Sequence, residues 1–195
     1  LRRQRQMCIR DSAYIAINRK EKRNSFDKNL IRSMTELFDK LSQDNTVKIV
    51  LFGGEGENFS AGADLNWMKE MSEYSYDENV EDARKLSKMF ESIYNCKKPV
   101  ITRVHGAIMG GGNGLVAASD YAIAAVGAQF SFSEVHLGLR PSTISVYCIP
   151  KLGRSNAIKL FCSGEKFSSY KAIENGLVDK IFPLDVLDKE IEKFI

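Results

Sequence analysis

The residues best suited to chemistry form a glycine cluster, Met109-Gly110-Gly111-Gly112-Asn113-Gly114, directly behind the apolar segment 99–104. A strand that ends in glycines and then enters a helix presents backbone N–H groups at the positive end of that helix. Such donors suit an oxygen that gains negative charge, and glycine allows close approach because it has no Cβ. The cluster therefore predicts an anion-binding turn.

The spacing within the cluster excludes two common nucleotide sites. A dinucleotide fingerprint needs G-x-G-x-x-G or G-x-G-x-x-A, with an acidic residue about 20 positions later at the end of the next strand. Counted from Gly110, the third small position falls on Leu115, and no acid ends the apolar segment 121–125. A phosphate loop needs Gly-Lys followed by Ser or Thr, which is absent here. We therefore expect an anion that is not a nucleotide.

The elements that must position this turn alternate between strands and helices. Strands are predicted at 12–18, 47–52, 99–104, 121–125, 130–132 and 177–181. Helices are predicted after a cap at Asn24, Ser25 or Asp27, after Asp64, through Ala118, from Leu184, and at 78–97, 142–151, 155–162 and 168–175. The alternation indicates an α/β fold with largely parallel strands.

Length and charge limit the function classes. The 195 residues suit one domain, and the 44% hydrophobic and 27% charged fractions are ordinary for a globular protein. No apolar run approaches the roughly 18 residues that a membrane span requires. Residues 1–12 account for the net charge of +3, since they hold four arginines and one aspartate. The remaining chain is neutral, which argues against a nucleic-acid surface.

Both ends of the chain are unusual. Residues 1–12 (LRRQRQMCIRDS) are rich in arginine, as a targeting presequence would be, but we favour a segment foreign to the fold. The domain is therefore predicted over 13–195. Because the sequence stops within a predicted helix, we expect the domain to be truncated at its C-terminus.

The cysteines and histidines predict no metal site. The four cysteines lack C-x-x-C pairing, and His105 and His136 are not at metal-ligand spacing. The cysteines are interpreted as free thiols of a reducing compartment. Both histidines are expected to pack or form hydrogen bonds rather than to act in catalysis.

Four motifs, in order and spacing, resemble the enoyl-CoA hydratase/isomerase (crotonase) superfamily over about residues 13–195. They are Glu21-Lys22-Arg23-Asn24-Ser25-Phe26, Phe59-Ser60-Ala61-Gly62-Ala63-Asp64-Leu65, Lys98-Pro99-Val100 with Val104-His105-Gly106-Ala107 and the glycine cluster, and Phe130-Ser131-Phe132-Ser133-Glu134 with Leu137-Gly138-Leu139. The resemblance implies a spiral of ββα units and a coenzyme A thioester substrate, with no separate cofactor. It implies that the N–H groups of Ala63 and Gly111 form an oxyanion hole for an enolate.

The resemblance also implies residues that contact the coenzyme A or acyl moiety. These are Lys22, Ser25, Ala61, Asp64, Leu65, Gly114 and Pro141. From the residues alone, Lys22 could equally be a solvated loop charge, and 61–64 a tight loop capped by Asp64.

Hydratases of the family commonly use two glutamates, and this chain matches only one of them. Glu134 stands at the position of the glutamate that delivers a proton to the α-carbon. Gly114 stands where the water-activating glutamate would be, and glycine can neither take nor give a proton. As the remaining acid/base, Glu134 needs a pKa raised by burial, whereas a cap or salt-bridge role is the alternative.

The motif around Glu134 looks like a bacterial branch of methylglutaconyl-CoA or isohexenylglutaconyl-CoA hydratases, from leucine and acyclic terpene breakdown. Arg140 and Ser142 replace the isoleucine and alanine of that branch, which leaves the acyl preference open. The leading hypothesis is a hydratase, with two alternatives: a double-bond isomerase that uses one glutamate, and a non-catalytic interaction or RNA-binding member. Family likeness implies a homotrimer or hexamer, in the cytoplasm of a bacterium or the mitochondrion of a eukaryote.

Overall fold

The computed structural model of the chain describes residues 4–9 and 11–195. The strands are β1 (Gln4–Ile9), β2 (Ser12–Ile17), β3 (Ile49–Gly54), β4 (Val100–Val104), β5 (Ala107–Met109), β6 (Tyr121–Ala125), β7 (Gln129–Ser131), β8 (Phe167–Ser168) and β9 (Lys180–Phe182). The helices are α1 (Lys28–Gln43), α2 (Leu65–Met71), α3 (Tyr76–Tyr94), α4 (Gly111–Ala118), α5 (Ser142–Leu152), α6 (Arg154–Ser163), α7 (Ser169–Glu174) and α8 (Leu187–Phe194). The predicted α/β class is confirmed.

The larger sheet has six strands in the order β1-β2-β3-β4-β6-β9. All neighbours from β2 to β9 run parallel, and only β1 pairs antiparallel with β2. Parallel strands leave the sheet at the same edge. The loops that follow β2, β3 and β4 therefore start close together, and they contain the first three sequence motifs.

Each face of this sheet packs against a cluster of buried hydrophobic side chains. Alternate residues of β4 belong to different clusters, with Val100 and Val104 in the main core and Ile101 in a second one. Helix α1 buries one apolar stripe in the main core, where Phe38 packs edge-on against Phe52 of β3. The stripe consists of Leu30, Ile31, Met34, Phe38 and Leu41. Helix α8 packs its apolar face, Leu187 and Ile191, in the second cluster.

A smaller sheet of order β5-β7-β8 was predicted only in part. The predicted strand at 130–132 appears as β7, but two- and three-residue strands such as β8 and β5 are too short to show a period. Residue Ser60 forms a bridge with Ile108, so the loop after β3 is attached to this sheet.

Several predicted boundaries were wrong, including those of the strand predicted at 47–52, which runs over Ile49–Gly54. The last strand begins at Lys180, not at 177, because the N–H groups of Leu177 and Val178 both bond the carbonyl of Ala172 at the end of α7. Helix α3 begins earlier than residue 78, because Ser75 and Glu78 form a capping box, and it ends at Tyr94. Helix α8 begins at Leu187, after a turn closed from Val186 N–H to Pro183 O.

The N-terminal segment pairs with the sheet along β1, where Ile9 faces Ser12 and Gln4 faces Ile17. Residues 1–3 and 10 lie outside the described residues. Pairing does not establish whether a segment is native to a protein, so a foreign origin for 1–12 stays a prediction. Over the described ranges, no helix is long and apolar enough to cross a membrane.

Candidate active site

The glycine turn is fixed by bonds to β7. Gly110 has φ +50° and ψ −122°, a conformation that favours glycine, and Gly111 begins helix α4. The Gly110 N–H donates to Ser131 O at 2.9 Å, and the Asn113 side chain donates to Ser131 O at 2.8 Å and to Gly110 O at 3.1 Å. Within the part of the chain that the structure describes, no group accepts from the Gly111 N–H.

The second predicted donor lies on the loop between β3 and α2. Phe26 forms a parallel bridge with Ala63, in which Phe26 N–H donates to Gly62 O and Asp64 N–H donates to Phe26 O. In this pattern the N–H of Ala63 points away from Phe26. No acceptor for it occurs among residues 4–9 and 11–195.

The two donor loops are in direct contact. A Cβ placed on Gly62, whose φ is +80°, would lie 2.6 Å from Met109 O and 3.1 Å from Gly111 N. A Cβ on Gly112 would lie 2.7 Å from Ser60 O. Glycine at these positions therefore allows the backbones to meet. The loops that carry Ala63 and Gly111 are therefore adjacent, and their role as an oxyanion hole stays a prediction.

A buried arginine that the sequence reasoning missed holds the Ala63 loop to the loop after β2. The Arg19 guanidinium donates to Ser25 O at 2.5 Å and to Asp64 at 3.0 Å, and lies 3.2 Å from Asp27. An arginine immediately behind an apolar strand was the available signal, since a buried cation requires partners.

The Asp64 side chain is fully engaged by this arrangement. It accepts from Asn66 N–H at 2.9 Å as the cap of α2, as predicted. Burial alone would raise the pKa of Asp64, but the bonds from Asn66 and Arg19 outweigh it and lower that pKa below its ordinary value. Asp64 is therefore an ionised anchor beside the Ala63 donor.

The carboxyl group of Glu134 lies against the glycine turn. Glu134 belongs to the 3-10 segment Ser133–Leu137, and its Oε1 would be 3.3 Å from a Cβ on Gly110. Its Oε2 is buried and has no hydrogen-bond partner among the described residues. Burial raises the pKa of Glu134, with its own backbone N–H opposing the shift. The predicted direction of the pKa is confirmed.

The other predicted contact residues occupy varied environments. Lys22 and Leu65 are exposed, Ala61 is half-buried, and Ser25 and Pro141 are buried. Gly114 is buried within α4, and side chains of α3 and α5 fill the space next to it. Whether these residues touch a substrate stays a prediction.

Both histidines form hydrogen bonds. His105 contacts Gly56 O through Nε2 and the Arg103 guanidinium through Nδ1, each at 2.8 Å, and His136 Nε2 lies 3.1 Å from Gly164 O. In the described ranges, no group of three His, Cys, Asp or Glu side chains could hold a metal ion.

A cleft of about 1400 Å³ lies elsewhere, lined in part by Tyr14, Leu51, Arg103, Gly127 and Ile195. None of the predicted site residues lines it. The cleft is therefore separate from the glycine turn, the Ala63 loop and Glu134.

The chain belongs to the enoyl-CoA hydratase/isomerase family, whose sequence model matches residues 10–195. A solved enoyl-CoA hydratase from Shewanella pealeana superposes with a TM-score of 0.95 at 34% identity, covering 100% of this chain and 72% of that one. The chain is 33% identical to mouse mitochondrial Delta(3,5)-Delta(2,4)-dienoyl-CoA isomerase over 87% of its own length and 55% of the mouse protein's. It is 29% identical to Escherichia coli 2,3-dehydroadipyl-CoA hydratase, over 88% of its own length and 66% of the length of the Escherichia coli protein.

The chain thus spans about half to two thirds of these curated relatives. The superpositions also confirm the predicted crotonase-like fold.

Proposed function

We propose that the protein adds water to an α,β-unsaturated acyl-CoA. One observation carries the proposal: the loops that hold the Ala63 and Gly111 N–H groups, for which no acceptor occurs among the described residues, are in contact with each other, and the Glu134 carboxyl lies against the adjacent Gly110. Fixed donors of this kind stabilise an oxygen that becomes negative during the reaction. A carboxyl with a raised pKa can both accept and return a proton near neutral pH.

In the proposed reaction the oxygen of water bonds to C3 of the acyl chain while the C2=C3 π bond breaks. The electron pair moves onto the thioester oxygen, where the N–H groups of Ala63 and Gly111 hold the resulting enolate. A proton of the water passes to Glu134 and from there to C2, which restores the thioester carbonyl. The reaction uses no separate cofactor, because coenzyme A belongs to the substrate.

We extend the proposal to a branched, methylglutaconyl-type acyl group, based on the motif around Glu134 and Pro141. Coenzyme A would lie along Lys22, Ser25, Ala61, Asp64 and Leu65. The whole protein would assemble as a homotrimer or hexamer. It would be located in the cytoplasm of a bacterium or in the mitochondrion of a eukaryote. Turnover of a panel of small acyl-CoA thioesters tests the acyl preference.

A double-bond isomerase is the second candidate, and it is favoured by the single carboxylate. Isomerisation needs one base that removes a proton from C2 and returns it to C4 while the double bond shifts. A relative at 33% identity is named as a dienoyl-CoA isomerase.

One incubation separates the two activities. With a 2-enoyl-CoA, a hydratase forms the 3-hydroxyacyl-CoA, which mass spectrometry detects as the addition of one water. Interconversion with the 3-enoyl isomer, without any hydrated product, would contradict the hydratase proposal. No turnover of either kind, together with coenzyme A or RNA binding, would favour the non-catalytic alternative.

A further inference from the structure

Gly114 is a glycine for reasons of packing. It lies inside helix α4 and is not among the residues with positive φ, so its backbone does not require glycine. A Cβ at this position would lie 2.3 Å from Ile144 Cγ2, 2.8 Å from Ile144 Cβ and 2.9 Å from Phe90 Cε1. Such distances are too short for any side chain at 114 while these neighbours keep their positions.

Ile144 and Phe90 are packed in the hydrophobic core. Ile144 is 3% exposed, Phe90 is fully buried, and both belong to the main core. Ile144 lies on α5, one turn before Cys148, so these two side chains share one face of the helix. Burial raises the pKa of the Cys148 thiol, and the charge of Glu134 adds to that effect. The Cys148 thiol donates to Asn113 O at 3.9 Å, so this face of α5 packs against the glycine cluster.

We propose that Ile144 and Gly114 are a matched pair that keeps a second carboxylate out of the site. The inference rests on the proposed function, because it concerns where a water-activating group would stand. Ile144 fills the volume that a glutamate at 114 would need, and Glu134 is left to make both proton transfers. Ile144 is thus a specificity-determining residue, which fixes the number of acid/base groups.

Thermal unfolding of the whole protein tests the steric pairing without any substrate. Gly114→Ala lowers the unfolding midpoint because its methyl group overlaps Ile144, and Ile144→Ala lowers it by leaving a cavity. In the double variant the new methyl group occupies part of that cavity, so the combined loss is smaller than the sum of the two. Val146→Ala is the matched control, since Val146 lies on α5 but is 64% exposed. We expect the losses in unfolding midpoint from Val146→Ala and Gly114→Ala to be additive when the two substitutions are combined.

The proposal is overturned if Gly114→Ala unfolds at the wild-type midpoint. It is also overturned if the losses from Gly114→Ala and Ile144→Ala add as they do in the control pair.

An activity measurement extends the test. Because Phe90 also lies 2.9 Å from a Cβ at 114, both variants carry Phe90→Ala. We expect Gly114→Glu with Ile144→Gly in this background to hydrate crotonyl-CoA with a kcat/KM at least about tenfold above that of Gly114→Glu without Ile144→Gly. Equal values in the two variants would contradict a blocking role for Ile144. If the wild type turns over no 2-enoyl-CoA, the proposed function fails, while the unfolding comparison still decides the pairing.

Discussion

The two sides of the site are built in opposite ways. The donors at Ala63 and Gly111 stand on loops that are joined by strand bridges, close glycine contacts and the buried Arg19 ion pairs. Glu134 lies in the short 3-10 segment Ser133–Leu137, and residues 136–140 at its end and beyond are exposed. The Oε2 atom of Glu134 has no hydrogen-bond partner among the described residues.

The difference agrees with the proposed reaction. An oxyanion donor stabilises the transition state only if it is already aimed at the developing charge, so its loop must be fixed. A group that both takes and gives a proton needs a pKa closer to the working pH, which burial without strong partners provides. Substitutions on either side should therefore have separate effects.

Removing the carboxylate should have the largest effect. We expect Glu134→Gln to lower kcat by about 10²–10⁴-fold, because general acid/base catalysis contributes that much. Affinity for an acyl-CoA, measured by isothermal titration calorimetry, should stay near the wild-type value. Unchanged turnover in this variant would contradict the catalytic role of Glu134.

Separating the donor loops should have the next largest effect. Gly62→Ala places a methyl group 2.6 Å from Met109 O and forces the Ala63 loop away from Gly111. Loss of one oxyanion donor typically lowers kcat by about 10²–10³-fold. Gly127→Ala is the matched control, because Gly127 also has a positive φ, +92°, but nothing within 4 Å. If both variants lose activity equally, backbone strain rather than donor geometry explains the loss.

Removing the buried cation should affect stability and activity together. Arg19→Met removes the buried guanidinium that Asp27 and Asp64 share, and we expect the free energy of unfolding to fall by about 3 kcal/mol. Urea unfolding measures that loss, and kcat should also fall because the Ala63 loop loses its anchor. As a control, Lys88→Met removes an exposed helix pair with Glu91 and should change little. Wild-type stability in Arg19→Met would show that the donor loops do not depend on this ion cluster.

The raised pKa of Glu134 predicts a smaller, pH-dependent effect. The Glu134 carboxyl binds its proton more tightly in the folded protein than in the unfolded chain. At pH values between the ordinary pKa of 4.5 and the raised pKa, the folded state therefore binds more protons than the unfolded state. Stability from this group is therefore full below the ordinary value and is lost as pH rises through the raised value. Glu134→Gln lacks this loss, so its stability relative to the wild type should increase with pH across that window. A constant difference in urea midpoint would contradict the raised pKa.

Much of the fold could be predicted from the sequence, and the sequence also named the main candidate site residues. The helix stripe of α1 and the apolar strands of the larger sheet have clear periods. The glycine turn and Glu134 are marked by residue type and spacing. The short strand β5 and the exact start of β9 could not be predicted, because their bounds are set by tertiary hydrogen bonds rather than by local pattern.

The roles of Arg19 and Ile144 needed the structure for a different reason. The contacts of each involve partners that are distant in sequence, Asp64 for Arg19 and Gly114 for Ile144. Residue type indicates that a buried arginine needs acids and that an isoleucine needs a cavity. It does not indicate which acids or which cavity.

The Arg19 ion cluster has a consequence for the order of folding. Arg19 and Asp64 are 45 positions apart, and the bridge between Phe26 and Ala63 spans a similar separation. Arg19 follows β2 and Asp64 follows β3. The guanidinium can therefore be buried only after β3 and the loop behind it have docked onto β2. In refolding, helix formation can therefore precede any oxyanion site, and recovery of turnover should coincide with late docking rather than with the early helical signal.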